Sequence, residues 1–458
     1  MRMPEFHFDE ALLADGWAEN VTISVDDGGM ISSVQTHASA SETAERFSNA
    51  LPGMANVHSH AFQRGMAGLS EHRGPGEDSF WSWRQVMYAF NDTLSPDDVE
   101  AMAALVYCEM LESGFTSVGE FHYLHHDPDG SPYDDLGEMA ARICAAAQTT
   151  GMALTLLPVL YRYANFGDKP PRHGQRRFIN DLDGFADLMA RSRHHLDALD
   201  HARLGVAPHS LRAVSMDDLN TILNAHRDGP IHIHVAEQMK EVDDCLAATG
   251  QRPMQYLLDH QDVNERWCLI HSTHLDEDEV IALARSGGVA GLCPLTEGNL
   301  GDGFFNAVPY LNENGRIGIG SDSHIRIDLA EDLRLLEYGQ RLKAQKRNVL
   351  AHPEGSTGRR VFEAALAGGS QALAQPSGRI ETGQRADFVI LDDSHPTLVG
   401  RKGDKRLDSW IFCGDSRLVK NVFVGGTCVV KDGQALCRDH VNKAYSQSVK
   451  RLGRALEI

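Results

Sequence analysis

Eight short apolar runs alternate with helix-forming segments between residues 51 and 324, and this alternation constrains the fold more than any other feature. The runs begin at Leu51 and continue, in chain order, at Phe115–Phe121, Met152–Leu160, Arg203–Pro208, 230–238, Trp267–His274, Val289–Cys293 and Arg316–His324. Parallel strands buried on both faces read as near-continuous apolar runs, and strands that alternate with helices predict parallel pairing. We therefore predict an α/β fold in which these units form a (β/α)8 barrel, or TIM barrel.

Short strands of a different character flank the barrel segment. Val21–Val25 precedes a turn of Asp and Gly residues, and residues 378–393 and 419–433 combine short apolar runs with Gly and Asp turns. We predict that these strands pair as one small, discontinuous β domain. Residues 1–50 would form its N-terminal part, residues 51–375 the barrel, and residues 376–458 its C-terminal part and a tail.

The connections between strands carry fewer signals. Ser95 as N-cap, Pro96 at the first helical position and Gly114 after the last predict a helix between them. Residues 71–94 predict a long loop or short helices over the barrel mouth. The seventh strand runs into PLTEGNLGDG, residues 294–303, to which no element is assigned.

Reactive side chains fall at the ends of these predicted strands. Barrel enzymes keep their chemistry at the C-terminal ends of the strands, whereas structural histidines should be spread over both ends. The residues at these ends are His58, His60, His122, His209, His234, Glu237, His271 and Asp322. Their common position predicts one reactive centre at the mouth of the barrel.

The His58-x-His60 pair predicts a metal site. Side chains two residues apart on a strand point the same way, and imidazole is the commonest protein ligand for zinc. For the pair alone, a chance occurrence of two neighbouring histidines in a histidine-rich chain remains an alternative to a metal site. His234 and Asp322 would complete the ligand set; His232 shares a face with His234 but lies further from the strand end, which favours a buried structural role.

Two further residues would move protons at this centre. A catalytic metal leaves one position open for water and lowers the pKa of that water to about 7. Glu237, three residues beyond His234, would give a proton to a departing nitrogen, and His271 would help Asp322 take the proton of the attacking water. We therefore predict catalytic roles for Glu237, His271 and Asp322.

The charge balance excludes some partners. The formal net charge is −21, so no basic stripe could neutralise the phosphates of nucleic acid or of an anionic membrane. The N-terminal residues lack a secretory pattern, no apolar run reaches 18 residues, and the eight cysteines contain no Cys-x-x-Cys pair. We expect a cytoplasmic protein with reduced cysteines, no nucleic-acid partner and no membrane partner.

Longer motifs resemble a known family. The His-x-His after LPG, the His-x-x-Glu of strand 5, the strand-6 His, the Ser-Asp of strand 8 and RADFVILD are similar to the amidohydrolase superfamily, in its mononuclear deaminase branch. No lysine ends strand 3 or 4 to bridge two metals, so one divalent ion, most simply Zn²⁺, is expected. NVHSHAFQRGMAG, DSFWSWR, HIHVAEQMKEVDDC and TEGNLGDG resemble the family of N-formimino-L-glutamate deiminases more closely.

This resemblance implies hydrolysis of a formimino C=N group, with release of ammonia, in histidine degradation. It implies His58, His60, His234 and Asp322 as metal ligands, and it suggests a homodimer. The expected substrate is a small dianion, which Arg84 and Arg212 could hold by bidentate contacts with its carboxylates. Gln63, Tyr123 and His209 are further candidates for substrate binding.

Two other functions remain open from the sequence. A related deaminase acting on a purine, pyrimidine or triazine ring would need aromatic stacking and amide donors more than two arginines. A non-catalytic relative could keep the barrel for partner binding, although an intact ligand set counts against it.

Overall fold

The computed structural model describes residues 4–73, 76 and 78–455. Its strands are, in chain order, β1 Glu5–Leu13, β2 Gly16–Val25, β3 Ile31–Gln35, β4 Glu45–Pro52, β5 Met54–Ser59, β6 Phe115–His122, β7 Ala153–Leu160, β8 Arg203–Leu204, β9 Ala207–Pro208, β10 Ile231–Val235, β11 Trp267–His271, β12 Val289–Leu292, β13 Arg316–Ile319, β14 Phe388–Leu391, β15 Val419–Val424, β16 Thr427–Lys431 and β17 Gln434–Ala435.

Helices connect most of these strands. They are α1 Phe80–Asn91, α2 Pro96–Ser113, α3 Glu138–Thr150, α4 Leu182–Leu196, α5 Met216–Ala225, α6 Met239–Thr249, α7 Pro253–His260, α8 Glu277–Ser286, α9 Pro294–Leu300, α10 Ala307–Asn312, α11 Leu329–Ala344, α12 Thr357–Ala372, α13 Asp404–Cys413 and α14 Arg438–Ala455. Short 3₁₀-helices cover Ala61–Met66, His173–Gln175 and Ser416–Leu418.

The barrel prediction is confirmed. Strands β10, β11, β12, β13, β5, β6, β7 and β8 follow one another in one sheet with parallel pairing, and β9 also pairs with β7. Bridges from Val206 to Ile231 and from Ser210 to His234 connect this last edge back to β10. The sheet therefore closes on itself, and its fourth strand is split into the two short pieces β8 and β9.

The small sheet contains both ends of the chain. Its strand order is β17-β16-β15-β14-β4-β1-β2-β3, and β14 joins the two halves by pairing Phe388 with Pro52 and Val389 with Leu51. Phenylalanines from both halves pack against one another beneath the sheet, with the rings of Phe6 and Phe388 4.9 Å apart. This arrangement confirms a small β unit made from the N- and C-terminal segments.

The first barrel strand begins later than the sequence indicated. Leu51 and Pro52 belong to β4 of the small sheet, and the barrel strand β5 begins at Met54. Gly53 separates them, and a Cβ there would lie 2.4 Å from the side chain of Thr116, so only glycine lets the chain pass so close to β6. The shift leaves His58 and His60 at the C-terminal end of β5.

The opposite end of the barrel is closed by α12. The carbonyl of Ala372 accepts a hydrogen bond from His232 Nε2 at 2.7 Å, and the carbonyl of Leu373 accepts one from Thr155 Oγ1 at 2.9 Å. His232 therefore has the buried structural role that its position predicted. With this end filled, access to the barrel interior is from the C-terminal ends of the strands.

Several connecting elements differ from expectation. Helix α2 has the predicted caps, with Ser95 accepting from Asp98 N and Gly114 in the left-handed region. Residues 71–94 contain one twelve-residue helix, α1, rather than loops or short helices; Gly74, Pro75 and Glu77 of that expectation lie outside the described residues. Helix α9 lies in residues 294–303, to which no element was assigned, and α13 and α14 lie in the C-terminal part, where only strands and a tail were predicted.

Two whole-chain expectations can be compared with the structure. Across the residues described, no helix combines the length and apolar character that crossing a membrane requires. All eight cysteines are free, and five of them are buried.

Candidate active site

All the predicted site residues except His122 meet at the mouth of the barrel; His122 is buried outside the pocket, with its ring 5.3 Å from that of His125. One pocket is lined by His60, Gln63, Arg84, Tyr123, His209, Arg212, His234, Glu237, His271 and Asp322. His58, fully buried, contacts His60 and His234 directly. The C-terminal ends of six strands or the loops that follow them contribute, and α1 brings Arg84 from above.

Three imidazoles and one carboxylate form a compact group. His58 Nε2 lies 3.0 Å from His234 Nε2, and Asp322 Oδ1 lies 3.7 Å from His58 Nε2 and 3.4 Å from His60 Nε2. Two ligands of one tetrahedral zinc ion are separated by roughly 3.3 Å, given Zn–N bonds of about 2.0–2.1 Å. The spacing therefore suits ligands that share a single small cation.

Hydrogen bonds on the far side of two rings fix their tautomers. His60 Nδ1 donates to the carbonyl of Phe121 and His234 Nδ1 to the carbonyl of His209, each at 2.9 Å. In a neutral ring the other nitrogen, Nε2, then carries a lone pair, and burial lowers the pKa of His60 to about 3. Neutral imidazoles aimed at one point are the donor set that a divalent ion needs, so these residues fit a metal.

Backbone pairing brings Asp322 against the histidine strand. Asp322 N donates to the carbonyl of His58, and His60 N donates to the carbonyl of Asp322. Gly320 allows this approach, because a Cβ there would lie 2.8 Å from His58 Cβ. Burial raises the pKa of Asp322, and His271 opposes this rise. The neighbouring carboxylates add to the effect of burial, and the pKa reaches about 7.

Carboxylates surround His271. Its Nδ1 lies 3.3 Å from Glu297 Oε1, and its Nε2 lies 3.7 Å from Glu237 Oε1 and 3.8 Å from Asp322 Oδ2. Burial alone would lower the pKa of His271, but these three carboxylates outweigh it and raise the pKa to about 10. His271 is thus able to hold or release a proton between Glu237 and Asp322.

The loop that carries Glu237 is held from α6. The side chain of Glu241 accepts hydrogen bonds from the backbone N–H groups of Ala236 and Glu237, each at 3.3 Å. Glu241 is itself buried, and burial raises its pKa to about 7. The backbone of Glu237 is therefore fixed at the pocket wall.

The other end of the pocket is cationic. Arg84 and Arg212 are both 7% exposed, and each donates a hydrogen bond to the hydroxyl of Tyr161 at 3.4 Å. Arg84 Nε also donates to the hydroxyl of Tyr88. Two buried guanidinium groups without a carboxylate partner among their hydrogen bonds and ion pairs in the described structure form a site for an anion.

The three other predicted binding residues lie between these ends. Gln63 Nε2 donates to the hydroxyl of Tyr123 at 2.7 Å, while the buried Gln63 Oε1 has no hydrogen-bond partner among the described residues. The ring of His209 packs 4.3 Å from that of Tyr161, and burial holds its pKa well below the usual value. These groups offer neutral hydrogen-bonding contacts to a ligand.

Sequence reasoning missed part of the pocket wall. Tyr161 directly follows β7, so the rule that strand ends carry function could have found it. Tyr88 and Trp83 line the pocket from α1, whereas Glu297 on α9 contacts His271 without lining the pocket. Neither helix has a strand-end signal. These residues reach the site only through tertiary packing.

Comparison with known proteins agrees with this geometry. Residues 49–429 match the amidohydrolase family, and residues 3–48 match the model described as Formimidoylglutamate deiminase HutF, N-terminal domain. The chain therefore belongs to the amidohydrolase family.

Individual relatives refine the assignment. Formimidoylglutamate deiminase of Pseudomonas aeruginosa is 50% identical over 442 residues, which cover 96% of this chain and 97% of the relative. A 5-methylthioadenosine/S-adenosylhomocysteine deaminase of Natronomonas pharaonis is 25% identical over 395 residues, covering 85% and 83% of the two chains. Within the family, the chain is thus similar to a formimidoylglutamate deiminase along nearly its whole length.

Solved structures show the same fold. An amidohydrolase from Brucella melitensis has a TM-score of 0.94 and 52% identity, covering 98% of this chain and 99% of that one. An adenosine deaminase from Xanthomonas campestris, solved with bound zinc, has a TM-score of 0.81 and 21% identity, covering 98% of each chain. The second likeness shows the fold alone.

Proposed function

We propose that this protein hydrolyses the formimino group of N-formimino-L-glutamate to give N-formyl-L-glutamate and ammonia, in histidine degradation. The observation that carries the proposal is one pocket with a candidate metal group at one end and two buried arginines at the other. A linear substrate with a reactive head and two carboxylates matches both ends. The similarity to formimidoylglutamate deiminase of Pseudomonas aeruginosa supports the same choice.

We propose that His58, His60, His234 and Asp322 hold one divalent ion, and that this ion is Zn²⁺. Imidazole nitrogen and carboxylate oxygen are its usual ligands, and the Xanthomonas campestris relative is described with bound zinc. When bound, the ion supplies Lewis-acid polarisation and lowers the pKa of water.

Proton transfers are assigned to the side chains around the metal ion. As water attacks the formimino carbon, its proton passes to Asp322 Oδ2, and His271, whose Nε2 lies 3.8 Å from that oxygen, helps to orient the water and to stabilise the transfer. Glu237 carries a proton to the departing nitrogen, and its carboxylate lies close enough to His271 to be reprotonated. Glu297, in contact with His271 Nδ1, keeps the opposite ring nitrogen turned to the reaction.

Arg84 and Arg212 are assigned to one carboxylate of the substrate. Gln63, Tyr123 and His209 are assigned to the part of the substrate between that carboxylate and the reacting carbon. Guanidinium groups bind carboxylates in a fixed, two-pronged geometry, so they orient the substrate as well as attract it. The buried oxygen of Gln63 is free to accept an N–H of the substrate.

An ammonia-release assay on purified, metal-loaded protein tests the proposal. N-formimino-L-glutamate should release one equivalent of ammonia, and treatment with a chelator should abolish release until Zn²⁺ is restored. Guanine, cytosine and adenosine serve as the contrasting substrates. Ammonia from one of these rings, with none from N-formimino-L-glutamate, would select a different deaminase function.

We further propose a homodimer that works in the cytoplasm. The support is the family resemblance for the dimer, and the free, mostly buried cysteines for a reducing compartment. Light scattering after size-exclusion chromatography should give twice the 50.4 kDa chain mass. A mass of one chain, or recovery of the protein from an exported fraction, would contradict the respective statement.

A further inference from the structure

The hydroxyl of Tyr161 is a meeting point of three hydrogen-bond donors. Gln175 Nε2 donates to it at 2.7 Å, and Arg84 and Arg212 each donate to it at 3.4 Å. Tyr161 is 2% exposed, so these contacts form away from bulk water. Its oxygen is the contact that the two arginines share.

The direction of each hydrogen bond is determined. Guanidinium groups only donate, so the Tyr161 oxygen accepts from both arginines. The Gln175 amide is oriented by the backbone N–H of Arg172, which donates to Gln175 Oε1 at 2.8 Å; its Nε2 must therefore point to Tyr161 and donate. All three contacts use the phenolic oxygen as an acceptor.

The proton of the Tyr161 hydroxyl has no hydrogen-bond acceptor in the described chain. A tyrosine hydroxyl has one O–H donor in addition to its acceptor capacity, and no acceptor for this proton occurs among the hydrogen bonds of the described chain. Buried donors are normally paired, because burying an unpaired one is unfavourable. Tyr161 lines the pocket, so a ligand can supply the missing acceptor.

From this geometry, and resting on the proposed function, we infer that Tyr161 is a further substrate-binding residue: its hydroxyl donates to a substrate carboxylate while its oxygen holds Arg84 and Arg212 in place around that carboxylate. A carboxylate is the acceptor that both guanidinium groups and a phenolic O–H favour. The hydroxyl thus ties the two arginines to one binding position for the anion.

The electrostatics of the phenol agree with this role. Burial raises the pKa of Tyr161, but the positive charges of Arg84 and Arg212 outweigh burial and bring the pKa below its ordinary value. A more acidic O–H forms a stronger hydrogen bond to a carboxylate. In Tyr88, by contrast, burial raises the pKa to about 12, even though Arg84 opposes this rise.

The test compares the metal-loaded enzyme with its Y161F variant by titration calorimetry. N-formyl-L-glutamate carries two carboxylates, N-formyl-L-glutamine lacks the charged side-chain group, and 4-formamidobutyrate lacks the α-carboxylate. Y161F should bind N-formyl-L-glutamate about 10- to 100-fold more weakly, the range expected for a hydrogen bond to a charged group. Of N-formyl-L-glutamine and 4-formamidobutyrate, Y161F should bind one more weakly by a similar factor. Its affinity for the other should lie within about threefold of the wild-type affinity.

Y133F is the matched control. Tyr133 accepts a hydrogen bond from the buried Arg177 at 3.4 Å, the same contact that Tyr161 makes with its arginines, but it does not line the pocket. Its affinities for all three ligands should equal those of wild type. Metal content and melting temperature of each variant check the fold.

Kinetics provide a second measurement. With N-formimino-L-glutamate, Y161F should raise KM by the same 10- to 100-fold while kcat stays within about threefold, because the binding contact is lost and the proton-transfer groups remain. A structural defect would lower kcat and metal content together.

The Q175E variant tests the role of the Tyr161 hydroxyl proton in a different way. A carboxylate at this position accepts the Tyr161 O–H and turns it away from the ligand, so the affinity for N-formyl-L-glutamate should again fall. Equal affinities in wild type, Y161F and Q175E would overturn the inference. So would an equal loss for all three ligands in Y161F, or wild-type protein that binds none of them.

The proposed function is decided separately. Wild-type protein that releases no ammonia from N-formimino-L-glutamate defeats the proposed function, whatever its affinities. Wild-type activity together with unchanged Y161F affinities defeats only the role of Tyr161.

Discussion

Glu237 lies beside the candidate cation ligands without sharing a group with them. His58 groups with His60 and Asp322 and also with His234 and His271, whereas Glu237 groups with His271 and Asp302. The backbone of Glu237 is fixed by Glu241 and not by the imidazoles. A change at Glu237 should therefore leave the cation site intact.

Glu237→Gln tests that separation. The amide keeps the size of the side chain but cannot carry the proton, so we expect kcat to fall by about 10²- to 10⁴-fold. Metal content should equal that of wild type. E277Q, an exposed glutamate at the start of α8, is the control and should retain full activity. Normal turnover by E237Q would refute the role of Glu237.

Glu120 gives the fold a pH dependence close to the site. It is fully buried and accepts hydrogen bonds from Ser59, Tyr107 and the backbone N–H of Ala61, yet burial outweighs these contacts and raises its pKa from 4.5 to about 7. The folded protein then binds this proton more tightly than the unfolded chain does. The resulting stability is complete below about pH 4.5 and is lost as the pH rises through about 7.

E120Q removes this titration because its amide is always neutral. The unfolding free energy of wild type, relative to E120Q, should fall by about 3 kcal/mol between pH 4.5 and pH 8, from a shift of about 2.5 units. Chemical denaturation at a series of pH values measures the difference. Parallel profiles for the two proteins would show that Glu120 titrates equally in both states.

At the scale of single elements, strands were predicted better than short helices. The buried parallel strands are continuous apolar runs, and α2 has strong local caps at Ser95 and Gly114. Helix α9, by contrast, has seven residues and a glycine; its first turn is held by Asp332, which accepts from Leu295 N, and by Glu297, which accepts from Cys293 N. Such a helix depends on tertiary contacts, which the local sequence pattern does not indicate.

Dependence on tertiary contacts also explains why some site residues were predicted and others were missed. His60, His234 and Asp322 could be predicted because strand ends of a barrel converge wherever the chain folds this way. Glu241 and Glu297 act through hydrogen bonds across two elements, and their spacing in sequence is that of ordinary helix carboxylates. Only the packed structure distinguishes them.

Helix α12 depends on a close approach to the barrel. A Cβ on Gly368 would lie 1.9 Å from the carbonyl oxygen of Ile317 in β13, and this backbone cannot move without disturbing the strand. G368A should therefore lower the unfolding free energy by at least about 3 kcal/mol, or prevent folding. Thermal and denaturant unfolding measure the change.

G298A is the matched control for this substitution. Gly298 is also helical, but a Cβ there would meet only the Leu335 side chain at an ordinary 3.4 Å. Its stability should be unchanged or higher by up to about 1 kcal/mol, the usual gain of alanine over glycine in a helix. Similar behaviour of the two variants would contradict the packing argument.

For the whole molecule, we propose a division into residues 1–50 and 376–458, which form the small unit, and residues 51–375, which form the barrel. Because Phe388 pairs with Pro52 and Val389 with Leu51, the small sheet extends two residues beyond the first of these boundaries, to Pro52. β4 continues through Gly53 into β5, so the strand that carries the histidines is anchored in the small sheet. The two units should unfold in one transition.

Metal removal should destabilise the whole barrel. His58, His234 and Asp322 come from separate strands or strand ends, and without a cation their buried polar atoms lack a common partner. At a free metal concentration 1,000-fold above the dissociation constant, binding contributes about 4 kcal/mol to folding. Chelation should lower the melting temperature, and Zn²⁺ should restore it; an unchanged melting temperature in metal-free protein would contradict this expectation.

The shared sheet also sets an order of events during synthesis. As the chain leaves the ribosome, β1 to β4 emerge first, but the partner of β4 on its open side, β14, emerges only after every barrel strand. Until then β4 presents an unpaired edge with Leu51 and Pro52 uncovered, the kind of edge along which nascent chains join one another. The nascent chain therefore keeps this edge open to aggregation until β14, Phe388–Leu391, has emerged.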